Sequence, residues 1–363
     1  MKRKFGFLVF FTIVLIIVAT PTAAISFNLP FHLLSLGKVE LKRSSWLDYQ
    51  IVNPTKVLFS NDLLRSSQGE TVQIWCSDLN ERQIPINQTK RVGDVCSAPV
   101  QPEIESDGSN IAPTRGGSNS LVPYIISPRK TKIATTTPVF RWNSVPGASS
   151  YAITLRGEQG IIWETEIEET ELTYPEETAL QSGQSYSWVV RANTGETSLD
   201  GGEGIPGLAF SVLEESEVQI INDLAQQLTQ QGLTQEAEVL ALAYLYSDEG
   251  LNSKAITTLE TFLASGNKDT AVYKLLGDLY LKVKLNVIAK INYLEAVNLA
   301  VEEGDLETEA QAHAKLGNVY IILKQKPKAI ASLEAAKSIY IKLEGENSEK
   351  VEALEVKLSE LRL

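Results

Sequence analysis

Two histidines and two cysteines are the side chains of this 363-residue sequence suited to metal, redox or nucleophilic chemistry near neutral pH. A catalytic or ligating histidine needs a nucleophile, a carboxylate or a second ligand at a recognisable spacing. His32 lies in the apolar stretch "FNLPFHLLSL" and His313 in "AQAHAKLGNVY", and neither has such company, so both are expected to be structural. Cys76 and Cys96 lack the Cys-x-x-Cys spacing of a redox pair and have no adjacent base; in an exported segment they are expected to form a disulfide. The acidic runs "EIEETE" and "YPEE" read as solvated strand edges and loops, and Gly201–Gly204 ("GGEG") reads as a turn, not a phosphate cradle. Trp163 and Trp188 would make a sugar-stacking platform if exposed, and core or cross-strand pairs otherwise. These residues point away from catalysis. No enzyme activity, metal or cofactor is expected.

Elements must position even this small set. Lys2, Arg3 and Lys4 precede an apolar run from Phe5 to Ala19, and Pro21-Thr22-Ala23-Ala24 supplies small residues, so 1–24 is expected to be a cleaved secretory signal. The run is shorter than the roughly 20 apolar residues of a spanning helix. Export to the periplasm or cell envelope follows, with a membrane tie only if the segment is retained. The formal net charge of −12 disfavours a phosphate backbone, so no nucleic-acid partner is expected. Residues 25–100 alternate in short strands, with Val72, Ile74 and Cys76 on one buried face, and form a small β module. Residues 101–120 carry almost no large apolar side chains and read as a linker. Residues 121–213 hold strand candidates at Val122–Ile126, Val139–Trp142, Tyr151–Leu155, Ile161–Ile167, Ser185–Ala192 and Leu208–Val212, a spacing that predicts a β-sandwich.

Residues 214–363 are helical and repetitive. Leu242, Leu276 and Leu316 share a column; Ala243, Gly277 and Gly317 follow, then Tyr246, Tyr280 and Tyr320. Ala255, Ala289 and Ala329 open the second half of each unit, with Leu259, Tyr293 and Leu333 four residues on. A small residue next to the Leu lets antiparallel helices approach, and residues four apart share a face. Such pairs bury their apolar faces only by stacking. Val218, Ile221, Leu224 and Leu228 predict a capping helix before the repeats, and Val351, Leu354, Leu358 and Leu361 another after them.

On these columns the chain resembles the tetratricopeptide repeat family, departing from its pattern where Lys284 and Lys324 replace the turn glycine kept at Gly250. The resemblance implies a solenoid whose first helices line a concave groove that binds a peptide or protein. Its groove-facing columns include Leu240 and Tyr244, then Lys274, Asp278 and Leu281, then Asn318 and Ile321. The carboxylate-clamp subfamily has Lys at the place of Lys274, but Asn where Asp278 and Lys315 stand. "FRWNSVPGASSYAITL" and "LQSGQSYSWVVRA" resemble fibronectin type III domains, which implies Trp142 in the core and Tyr186 as a tyrosine corner. Gly37-Lys38-Val39, Asp62-Leu63-Leu64 and the strand ending at Cys76 resemble the FecR-type β module of periplasmic proteins.

Together these readings imply a non-enzymatic, multidomain scaffold of the bacterial cell envelope that binds a protein or peptide partner. Two other readings stay open: an envelope signalling component, through the FecR-like module, and a carbohydrate-binding protein, through the sandwich.

Overall fold

The computed structural model describes residues 32–36, 39–66, 71–77, 80–85, 87–96, 119–201 and 208–363. The expected signal at 1–24, Gly37 and Lys38, residues 101–118 of the expected linker and most of the Gly201–Gly204 turn lie outside these residues. Among the described residues the chain runs from β-sheets at the N-terminal end to eight helices at the C-terminal end.

The N-terminal strands are β1 (His32–Leu36), β2 (Val39–Lys42), β3 (Gln50–Val52), β4 (Val57–Leu58), β5 (Leu63–Ser66), β6 (Val72–Trp75), β7 (Glu81–Ile84) and β8 (Thr89–Arg91), followed by the single turn α1 (Val92–Val95). They pair antiparallel in two sheets, ordered β4-β1-β6-β7 and β3-β2-β5-β8. Val72 and Ile74 are buried, as their alternation requires. Cys76, just after β6, and Cys96, just after α1, form a disulfide with their Cα atoms 5.3 Å apart. The bond closes off the end of a module too small for a large core of its own.

The middle strands are β9 (Ile125–Ser127), β10 (Thr131–Ile133), β11 (Val139–Trp142), β12 (Tyr151–Gly157), β13 (Gly160–Ile167), β14 (Glu171–Thr173), β15 (Ser185–Ala192) and β16 (Ala209–Val212). Sheets β10-β16-β15-β12-β13 and β14-β11-β9 enclose one core containing Phe140, Trp142, Tyr151, Trp188 and Phe210. The Gln181 backbone N–H donates to the Tyr186 hydroxyl at 2.9 Å, which ties β15 to the chain five residues upstream. β10 and β14 were not expected from the sequence. Each is three residues long, too short for alternation to stand out.

The helices are α2 (Glu215–Thr229), α3 (Gln235–Asp248), α4 (Asn252–Ala264), α5 (Thr270–Lys282), α6 (Asn286–Glu303), α7 (Leu306–Ile322), α8 (Lys326–Glu344) and α9 (Glu349–Arg362). This region fits a repeat solenoid, with α3/α4, α5/α6 and α7/α8 as its pairs. The small columns do what their size allows: a Cβ added to Gly277 would lie 2.6 Å from the Tyr293 ring, and one added to Gly317 would lie 2.5 Å from Leu333. Ala255, Ala289 and Ala329 are fully buried in the same seams. Thr234, Asp269, Asp305 and Ser348 cap α3, α5, α7 and α9 by accepting a backbone N–H from the first turn. Lys284 and Lys324 take the turn glycine's left-handed conformation, with φ of 64° and 57°. The inner helices α3, α5 and α7 touch one another in sequence. They form one layer, and α4, α6 and α8 form the outer one.

Both β units pack on the helices. Because paired helices run antiparallel, the turns within pairs lie along one edge and the connections between pairs along the other. The sandwich takes the first edge. Buried Arg129 donates from Nε to the Val283 carbonyl at 2.6 Å, Lys132 N–H to the Gly250 carbonyl at 2.9 Å, and Asn252 Nδ2 to the Lys130 carbonyl at 2.8 Å. The N-terminal module takes the second. Its core runs on into α7, α8 and α9 through Ala310, Leu333, Ile339, Tyr340 and Leu354, while Leu33 and Trp75 join the core of the first two pairs.

Candidate binding groove

The inner layer presents the residues that the repeat columns single out. Leu240 is only 1% exposed and serves the core. Tyr244 is half-buried against that core and reaches a cleft at the junction with the N-terminal module. The cleft is about 120 Å³ and is lined by Tyr244, Lys274 and Gln311 from α3, α5 and α7, and by Asn53, Thr55 and Lys56 from the module. Thus the helices supply a floor and the β module a wall, at the N-terminal ends of α5 and α7 and beside the later half of α3.

Further along, Asp278 is the hub. Its carboxylate lies 3.7 Å from Lys274 Nζ and 3.8 Å from Lys315 Nζ, and accepts the Tyr293 hydroxyl at 2.7 Å. That bond and full burial push the Tyr293 phenol well above its ordinary value, desolvation being the larger cause. Asn318 accepts from Lys357 of α9 at 3.2 Å, so the last helix reaches the same face. Leu281 is half-buried, and Ile321 is 38% exposed at the far end. The structure therefore brings Tyr244 and Lys274 to one cleft and links Lys274, Asp278 and Lys315 in a chain. Asn318 and Ile321 lie toward the opposite end of the inner helices.

Sequence reasoning missed the charges that hold the wall of this cleft. Arg43 donates to Asp62 at 3.1 Å and to Glu307 at 2.9 Å, and its guanidinium sits 4.6 Å from the centre of the Phe59 ring. Lys56 lies 2.9 Å from both Asp305 and Glu307. Asp62 and Glu307 are buried, as is Arg43. Burial alone would raise the Glu307 carboxyl, but Arg43 and Lys56 hold it down at about 2. At Asp62 desolvation wins and pushes the carboxyl up to about 6, because Arg43 is shared with Glu307. The opposite shifts have one geometric cause: two cations face Glu307 directly and one faces Asp62. The signal in the sequence was faint. Glu307 lies in the six-residue expansion between repeats, and its partners come from more than 240 positions away.

The remaining candidates fall outside the groove. His32 is buried and its Nδ1 accepts the Ser77 N–H at 2.9 Å. It approaches Cys76 and Cys96 within 4.8 Å, but the disulfide ties up both sulfurs. Burial lowers the His313 imidazole below its ordinary value. Trp188 is fully buried and donates to the Pro128 carbonyl at 2.9 Å, while Trp163 is partly buried, with its ring centre 5.1 Å from that of Tyr174. The two rings make core contacts and form no sugar platform.

No family model matches the chain, and no curated protein does. Solved structures similar to part of it include BtubC (BKLC) from P. vanneervenii, at 22% identity and TM-score 0.32, covering 39% of this chain and 60% of that one. A MamA protein shares 20% identity at TM-score 0.27, covering 40% of this chain and 87% of its own. MamA 41-end from Desulfovibrio magneticus RS-1 shares 15% at TM-score 0.26, covering 40% and 94%. The chain thus spans about three fifths of the length of BtubC.

Proposed function

We propose that this chain is a non-enzymatic scaffold of the bacterial cell envelope that binds a protein or peptide partner along the inner face of its tetratricopeptide-like helices. The N-terminal segment would direct export, and neither cofactor nor metal enters the reading. The observation that supports it is the cleft at the module–helix junction, where Tyr244, Lys274 and Gln311 from three successive inner helices face one space. Successive helices offering one side chain each is how a solenoid reads an extended segment. An aromatic beside charged side chains is the composition of an interface hot spot. The β units then act as braces: one on each edge fixes the curvature of the helical stack, so the groove is formed before a partner arrives and less ordering cost is met on binding.

The test separates binding from folding. Lys274→Glu reverses one charge in the cleft and disrupts its 3.7 Å pairing with Asp278, a half-buried pair one helical turn apart and worth about 0.5 kcal/mol to stability. Envelope pull-down with the tagged chain is expected to lose its partner with Lys274→Glu while the melting temperature stays within a few degrees. Retention of the same partner at wild-type yield by Lys274→Glu and by Tyr244→Ala would contradict the inner-face reading.

A further inference from the structure

The outer face of α6 differs from those of its neighbours. Counting from the aligned Ala255, Ala289 and Ala329, the second column on is Thr257, Ile291 and Ala331, and the fifth is Glu260, Leu294 and Glu334. Glu260 meets Arg141 at 3.3 Å, and Glu334 meets Arg362. The flanking helices thus carry small or charged residues where α6 carries large apolar ones. Ile291 is 52% exposed, Leu294 37% and Val301 56%. Packing within the chain does not call for them, since the first and third pairs fold with Thr, Ala and Glu at those columns. Among the described residues nothing covers this stripe.

Its spacing is a heptad. Val287, Ile291, Leu294, Asn298 and Val301 alternate steps of four and three, with Ile291 and Asn298 at one core position and Val287, Leu294 and Val301 at the other. Ile at the first with Leu at the second favours a parallel pair of helices, and one Asn at the first position fixes register at some cost in stability. Lys290 and Glu295 flank the seam five residues apart. In a parallel, in-register pair, Lys290 of one helix faces Glu295 of the other, and the reverse contact repeats by symmetry. Apolar spacing, the single core Asn and charge complementarity therefore specify the same occupant.

We propose that α6 is a self-association helix, pairing in parallel with α6 of a second copy to make the chain a reversible homodimer. The 18 residues of α6 span about 27 Å, a short seam that belongs with small, reversible interfaces, and association is expected in the micromolar range, at a Kd of about 1–100 µM. The outer seam leaves the inner face of each copy open, so a dimer would present two grooves. The proposal stands independently of the groove reading.

Sedimentation equilibrium on the purified full-length chain over that concentration range is expected to show monomer passing to dimer. The double variant Ile291→Thr/Leu294→Glu, which gives α6 the residues of α4, is expected to keep its helical circular dichroism and raise the Kd by about 100-fold. Asn298→Cys is expected to yield a covalent dimer under mild oxidation, because a parallel seam places residue 298 opposite itself. A wild-type chain that stays monomeric, a dimer that survives the double variant, or Asn298→Cys with no covalent dimer overturns the proposal. Those results would leave the outer stripe to a different protein or to another segment of the same chain.

Discussion

The shared guanidinium of Arg43 makes the junction a place where single substitutions act far from their own module. Glu307→Gln removes the charge that two buried cations face, and breaking a buried ion network from one side costs about 3–5 kcal/mol. Urea unfolding at neutral pH is the check; a loss under 1 kcal/mol, within the range of exposed pairs, would mean the network is solvated. The same residues set the acid response. Glu307 is held at about 2 against an ordinary 4.5, so it contributes stability above pH 4.5 that is lost as pH falls toward 2. Asp62 is raised from 3.8 to about 6, so its contribution is present below pH 3.8 and is lost as pH rises through 6. A stability profile should therefore rise slightly between pH 7 and 5, then fall below 4.5, and Glu307→Gln should flatten the acid limb. Tyr280 belongs to a different class. It is a buried column residue whose hydroxyl bonds Glu260, and Tyr280→Ala should cost about 3–5 kcal/mol without affecting the pH profile. None of these partners was legible in the sequence, because long-range charge pairing has no local period to betray it.

At the level of elements the sequence was far more informative, and the reason is periodicity. Strands β11 and β15 begin and end where alternation placed them, and the five repeat columns fall in the helix seams. The columns also make predictions. Gly317→Ala puts a methyl 2.5 Å from Leu333 and should cost about 1–3 kcal/mol through overpacking, against the usual gain of Ala in a helix. Lys324→Gly should do the reverse and stabilise by up to about 1 kcal/mol, since Lys324 occupies a left-handed conformation that costs a side-chain-bearing residue about 1–2 kcal/mol. Thermal unfolding of the two variants side by side checks the pair, and a shift of the same sign in both would contradict the account of the turn and the seam. The Cys76–Cys96 bond closes a separation of 20 residues, so Cys96→Ser should cost about 3 kcal/mol, read by unfolding with and without reductant. Tyr244 is where column logic stopped short. It reads as an open groove residue, yet it is half-buried, because the N-terminal module comes over the inner face beside it.

The whole molecule is a stack of helices braced on its two edges by β units, and that arrangement could not be read from composition or spacing. The chain order suggests beads on a string. Instead, Leu33 and Trp75 share a core with the first two helical pairs, and Leu47 N–H donates to the Leu343 carbonyl at the far end. Binding and bracing are then coupled: a partner that contacts Lys274 and Gln311 also meets Asn53 and Lys56 of the module wall. Photo-crosslinking in living cells tests this most directly, with a photoreactive residue placed singly at Gln311 or Ile321 on the inner layer and at Ser338 on the outer face of α8. One shared covalent adduct is expected from Gln311 and Ile321 and none from Ser338, and the adduct is expected to disappear when Lys274→Glu is added to either inner variant. An adduct from Ser338 equal to that from the inner positions, or inner adducts indifferent to Lys274→Glu, would contradict it.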